Sequence, residues 1–159
     1  MGKTVFDQLN SLLHNPIFLA AVSSWLISQF LKTVITLFTL QIENFQQLIE
    51  ILLWKTGGMP SSHSALVSSV ATTIGFKSGI GSDLFIFSCC FALVVIRDAV
   101  GVRRSSGQQA RALNELGATV SNRLKYQYIP VKETQGHRPM EVLAGILLGF
   151  FIGVAFSTL

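Results

Sequence analysis

Two histidines, a run of serines and a scatter of cations are the residues whose types and spacing suit chemistry on phosphate. The densest stretch is Gly57-Gly58-Met59-Pro60-Ser61-Ser62-His63-Ser64-Ala65. Its glycines free the backbone, its proline stops a preceding helix, and Ser61 and Ser62 stand where an N-cap is wanted ahead of an apolar helical run. The first amides of such a helix are unsatisfied and partly positive, so they attract an anion. The hydroxyls of Ser61, Ser62 and Ser64 add donors, and His63 can release a proton near neutral pH. An ordinary loop-to-helix junction has the same composition, so the rest of the chain must decide between junction and phosphate cradle.

His137 and Glu141 lie four residues apart around Pro139, which suits a first helical turn. On one helix face the carboxylate would orient the imidazole; simple capping of the helix by Glu141 is the plainer alternative. Lys32 sits inside a long apolar run, where it either snorkels to the interface or points inward toward the cradle. Arg97 and Asp98 at a span end are either interface anchors or part of the same site. Two histidines at two helix starts, with cations and an anion nest, suit phosphoryl transfer. One imidazole attacks phosphorus, cations hold the equatorial oxygens, and the other protonates the leaving oxygen. The sequence has no Cys/His cluster, no paired Asp ligands and no Gly-x4-Gly-Lys-Ser/Thr loop, so neither a metal nor another cofactor is expected.

The elements that must position these groups are membrane helices. The chain has 159 residues, half of them apolar and only 13% charged, with a mean hydropathy of +0.53. A soluble domain carries about 25% charged residues, so much of this surface faces something other than water. Four spans are expected, at roughly 16–40, 61–80, 83–101 and 139–159, in an all-α bundle with added interfacial helices and one domain over 1–159. Residues 1–15 read as a short amphipathic lead-in, and 41–56 as an interfacial or re-entrant segment anchored by Trp54. The helix after His63 is rich in Ala, Ser, Thr and Gly, which marks it as central.

Gly145, Gly149 and Gly153 form a stripe for close helix contact, within the chain or against a second copy, so a homo-oligomer stays open. Residues 101–136 are the only long hydrophilic segment, with an amphipathic interfacial helix expected near Gln108–Leu116. Gln109 and Asn114 either bond the loops around the cradle or face solvent. Basic residues crowd this segment without interleaved aromatics, which favours membrane orientation over nucleic-acid binding. By the positive-inside rule the polar face is cytoplasmic and both termini lie opposite. Cys89 and Cys90, adjacent in an apolar run, are packing residues.

At these residues the chain resembles the type 2 phosphatidic acid phosphatase and vanadium haloperoxidase superfamily, in particular its small divergent membrane branch. Pro60-Ser61-Ser62-His63 is similar to the superfamily's Pro-Ser-Gly-His, and His137-x3-Glu141 to its His-x3-Asp. The divergent branch is similar over nearly the whole chain. The match takes in Lys32, the stretch from Gly57 to Ala65, Asp98 with Gly101-Val102-Arg103-Arg104, Gly107-x-Gln109-Ala110, Asn114, and Lys132-Glu133 before Gly136-His137. The resemblance implies His137 as nucleophile, Glu141 as its orienting partner and His63 as general acid, with Gly58, Ser61, Ser62 and nearby amides as the phosphate cradle. Two features depart from the superfamily. Its Lys-x6-Arg-Pro motif is absent, leaving Lys32 to supply the lysine, and Val131 stands where the last motif has arginine, leaving Lys132 or Arg103 to substitute.

The expected function is hydrolysis of a phosphate monoester or diphosphate on a lipid or isoprenoid, an amphiphilic substrate met in the membrane. A lipid-phosphate-binding scaffold without turnover is the main alternative. A transporter would need polar residues through the midplane, where the spans offer little beyond Ser and Thr. Haloperoxidase chemistry fits a small lipid-embedded chain poorly.

Overall fold

The computed structural model describes residues 4–39, 58–125, 127–133 and 136–158. The stretch 41–56, with the interfacial segment expected there, lies outside the described residues, as does Gly57. Among the described residues six α-helices follow one another: α1 (Val5–Leu13), α2 (Pro16–Thr39), α3 (Ser62–Ser78), α4 (Asp83–Arg97), α5 (Arg103–Leu124) and α6 (Pro139–Ser157), with a π-turn at Asp98–Val102 joining α4 to α5. Among the described residues there is no strand.

Local signals set the helix ends. Thr4 and Asp7 close a capping box on α1, with the Thr4 hydroxyl donating to Asp7 Oδ2 at 2.6 Å. Asn15 Oδ1 accepts from Ile17 N–H at 2.9 Å at the start of α2, which opens on Pro16. Gly79 leaves α3 with φ +85°, and Ser82 caps α4 by accepting from Phe85 N–H. The apolar side chains of α1, among them Val5, Phe6 and Leu9, are exposed, which gives the amphipathic lead-in its helical form.

The interior is built from small and hydroxyl residues, and the large apolar ones face outward. The largest fully buried side chains are Thr73, Ser24, Ser28, Ser61, Ser64 and Ser69, whereas Phe30, Phe87, Leu93 and Phe151 are each more than 60% exposed. That inversion is what lipid demands. Hydrocarbon gives no drive to bury Leu or Phe, so helices associate through close packing of small residues and interhelical hydrogen bonds. Ser24 and Ser69 hydroxyls bond at 2.9 Å across α2 and α3, and Ser68 Oγ donates to the Ile146 carbonyl of α6 at 2.9 Å.

Among the described residues three stretches are long and apolar enough to cross a membrane: Pro16–Phe38, the one containing α4, and Pro139–Ser157. The helix α3 has 17 residues, about 25 Å at 1.5 Å per residue, and packs against α6, α2 and α4. It is shorter and richer in hydroxyl side chains than those three stretches, and its neighbours bury much of it. The protein is therefore an all-α membrane bundle of about four helices with further helices attached.

The glycine stripe of α6 is spent within the chain. A Cβ on Gly145 would overlap the Ser61 carbonyl, one on Gly149 the Ala65 carbonyl, and one on Gly153 would come within 2.8 Å of the Ser69 carbonyl. Helices α3 and α6 thus meet backbone to backbone.

The helix expected near Gln108–Leu116 is present and longer, taking in Arg103–Leu124. The chain stays helical from Asp83 to Leu124, passing through the π-turn and continuing as α5. No proline occurs between Asp83 and Pro130, so nothing forces the backbone hydrogen bonds to break. They lengthen by one residue instead, with Arg103 N–H bonding the Asp98 carbonyl.

The packing of α3 on α6 yields a stability test. Gly149→Ala should cost at least ~2 kcal/mol, since the added methyl meets an immovable carbonyl. Gly101→Ala, with open space around it, should stay within ~1 kcal/mol of wild type. Denaturation in detergent micelles measures both, and equal stabilities would refute the backbone contact.

Candidate active site

Three chain segments converge where α3 and α6 begin and α4 ends. The Ser61 N–H donates to the Glu141 carbonyl at 2.9 Å, fastening the start of α3 to the first turn of α6. The His137 N–H donates to the Ala99 carbonyl at 3.2 Å, fastening the segment before α6 to the π-turn. Gly136 lies against Arg104 so closely that a Cβ would overlap its backbone N and Cα.

His137 is 6% exposed, and its Nδ1 lies 2.9 Å from Glu141 Oε2. A carboxylate only accepts, so Nδ1 carries the proton in this bond, and in the neutral imidazole Nε2 then holds the lone pair. Glu141 is thereby more than a cap. Its backbone carbonyl holds α3 while its side chain holds the imidazole.

On the α3 side Ser61 is the N-cap. Its Oγ accepts from Ser64 Oγ at 3.1 Å and from Ser64 N–H at 3.5 Å, so Ser61 is engaged inside the cradle wall. The N–H groups of Ser62 and His63 have no acceptor among the described residues, and with the Ser62 hydroxyl they are the donors open to an anion. Gly58 adopts φ +89°, a backbone that L side chains resist, and precedes a cis Met59–Pro60 peptide.

The cations are placed unequally. Lys32 is 3% exposed, and its Cγ lies 3.7 Å from where a Gly58 Cβ would stand. It points into the bundle beneath the cradle and does not snorkel. Arg103 Nε donates to Asp98 Oδ2 at 2.8 Å. Residues five apart do not share a face of an α-helix, but the π-turn brings them together, and the guanidinium keeps its two Nη groups for an anion. His63 is exposed at the mouth of the site, within electrostatic range of Arg103, His137, Lys32 and Asp98.

Lys132 is placed apart. It stands exposed on the segment 127–133 that returns along α5, next to Val131, whose N–H donates to Asn114 Oδ1 at 2.9 Å. Asn114 is eleven residues from Arg103, about 16 Å along the helix. The structure thus gathers Lys32, Gly58, Ser61, Ser62, His63, Arg103, His137 and Glu141, and leaves Lys132 outside. Among the described residues no three His, Cys, Asp or Glu side chains converge as a metal-ion site.

Two positioning residues carry more than their sequence context suggested. Asp98 orients Arg103. Asn114 is a hub: its Nδ2 donates to the Val131 carbonyl at 2.9 Å and to Glu133 Oε1 at 3.0 Å, while its Oδ1 also accepts from Tyr128 Oη at 2.9 Å. It satisfies the return segment as a neighbouring strand would. The Gln109 side chain reaches only Ser105, at 3.5 Å. The signal for Asn114 was a lone amide on the Ala110–Gly117 side of an amphipathic helix, a pattern equally compatible with solvent exposure.

Fold and site define a helical integral membrane protein whose polar centre opens at the ends of its core helices. The chain belongs to the Divergent PAP2 family, whose model matches residues 13–152. It is similar to the uncharacterized membrane protein YuiD of Bacillus subtilis (strain 168), 36% identical over 117 residues, covering 67% of this chain and 74% of that protein. No solved structure matches.

The Asn114 hub is open to measurement by amide exchange. Asn114→Ala removes the acceptor of Val131 N–H, and at about 1.4 kcal/mol per tenfold the Val131 amide should exchange roughly tenfold faster in the folded protein. An unchanged rate would mean that other contacts hold the segment.

Proposed function

We propose that this protein is a membrane phosphatase that hydrolyses a phosphate monoester or diphosphate of a lipid or isoprenoid through a phosphohistidine intermediate. The observation that carries it is the His137–Glu141 pair at 2.9 Å, held by Ser61 N–H against a helix N-terminus whose Ser62 and His63 amides have no acceptor among the described residues.

The steps follow from the atoms. Nδ1–H stays with Glu141, and Nε2 of His137 gives its lone pair to phosphorus. The P–N bond forms as the P–O bond to the leaving group breaks, and His63 gives the departing oxygen a proton. Ser62, the first-turn amides, Lys32 and Arg103 hold the equatorial oxygens as charge spreads over them. Water then attacks phosphorus, loses a proton to His63, and releases phosphate with His137 restored. Glu141 stabilises the imidazolium character that His137 gains in the first step. The site lies on the side of the bundle where arginines and lysines cluster, and the positive-inside rule puts that side in the cytoplasm.

Phosphate release by the detergent-solubilised protein tests this on phosphatidate, isoprenyl diphosphate and an aryl phosphate. His137→Ala and His63→Ala should lower turnover at least 100-fold, and Glu141→Gln about tenfold to 100-fold. Turnover that is equal in wild type and His137→Ala would sink the hydrolase and favour a scaffold that binds lipid phosphate without cleaving it.

A further inference from the structure

Beside the site, the bundle is not evenly filled. Helix α4 leans on α3 and scarcely meets α6, which leaves a groove of about 820 Å³ open to the side. Its floor is the small face of α3, at Ser68, Ala71 and Gly75; Ala92 and Ile96 of α4 form one wall and Ile146 of α6 the other. At the far end Phe85 closes it, its ring carbon 2.9 Å from where a Gly75 Cβ would lie. On the floor the Ser68 hydroxyl donates to the Ile146 carbonyl, and the lining as a whole is predominantly apolar.

The near end of this groove is the polar site. Ile96 is two residues before Asp98, about 3 Å along the helix. Ser68 and Ile146 are each five residues past His63 and Glu141, about 8 Å. The groove thus begins beside the histidine cluster at the starts of α3 and α6, near Lys32 of α2 and Arg103 of α5, and leads away from it as an apolar channel. From Ser68 to Phe76 the floor runs about 12 Å, close to the ~15 Å of one hydrocarbon leaflet.

We infer that this groove holds the hydrocarbon chain of the amphiphile whose phosphate sits at His137. This rests on the proposed hydrolase and deepens it: the substrate is a phosphate on a long apolar chain, selected by the chain as well as by the head. Two features on one amphiphile match two adjoining surfaces. A phosphate meets Lys32, Arg103 and the free amides, and a chain one leaflet long meets a floor of that length. Bulk lipid would fill a groove anywhere on the bundle, but only an occupant that bridges groove and cradle couples chain length to turnover.

The test compares dodecyl phosphate with phenyl phosphate in the wild type, in Ala71→Trp and Ala92→Trp, which fill the groove from two walls, and in Ile86→Trp, a bulky change on the exposed face of α4 outside it. The ratio of dodecyl to phenyl turnover should fall at least tenfold in both groove variants and stay at the wild-type value in Ile86→Trp. Because the ratio is read within one preparation, partial loss of folded protein cancels. An unchanged ratio in both groove variants would overturn the inference and leave the groove to bulk lipid or a second copy of the chain. Should the wild type cleave neither ester, the hydrolase fails, and the groove is judged by binding. Retention of dodecyl phosphate in native mass spectra should then be at least tenfold weaker in Ala71→Trp; equal retention overturns it.

Discussion

The close approach of α3 and α6 is the constraint on which the rest of the molecule depends. Gly145, Gly149 and Gly153 let the backbone of α6 rest on the carbonyls of Ser61, Ala65 and Ser69, and the Ser61 N–H to Glu141 carbonyl bond locks the register. In hydrocarbon there is no gain from hiding one apolar face in another, so small residues and direct backbone contact take over the role that a Leu-rich core has in water. Once the two helices meet in this register, their N-termini lie side by side. Both terminal dipoles then face the same small volume, and a histidine stands at each. Two helix N-termini facing one volume favour negative charge there.

The π-turn at Asp98–Val102 is the second device. It carries the helix out of the α4 region without a break, brings Asp98 and Arg103 together, and offers the Ala99 carbonyl as the docking point for His137 N–H. An ordinary α-turn would rotate Arg103 away from Asp98 by a large part of a turn. A single inserted residue in the helical repeat is a common way to re-aim side chains at functional sites, and here one such insertion serves both a cation and the segment that holds His137.

Much of this was legible in the sequence because membrane helices and helix ends are written in composition and spacing. The spans at 16–40 and 139–159 correspond to α2 and α6 within two residues, and the small-residue run after His63 corresponds to the enclosed α3. His137-x3-Glu141 has the spacing of one helix face, and the structure gives it as a bonded pair. What spacing left open was direction. Lys32 inside an apolar run has two homes, and only the bundle shows it beneath Gly58. The helical continuity through 98–124 was not legible because a π-turn has no compositional mark, and the glycines at 101 and 107 obscure the start of the helix expected near 108–116. Lys132 looked close to His137 in sequence, yet an extended segment gains distance quickly, and Asn114 anchors it well along α5.

The proposed chemistry turns on one nitrogen. Glu141 occupies Nδ1 of His137, so on that mechanism a phosphoryl group transferred to His137 would reside on Nε2. The most direct measurement is to mix the protein with a radiolabelled isoprenyl diphosphate, quench in alkali within one turnover, and map the label by peptide mass spectrometry. The account predicts an acid-labile, alkali-stable phosphoryl group on His137 that is lost in His137→Ala and accumulates in His63→Ala when the leaving group needs no proton, as with a nitrophenyl phosphate. Turnover with no label on His137, or label on another residue, would contradict it.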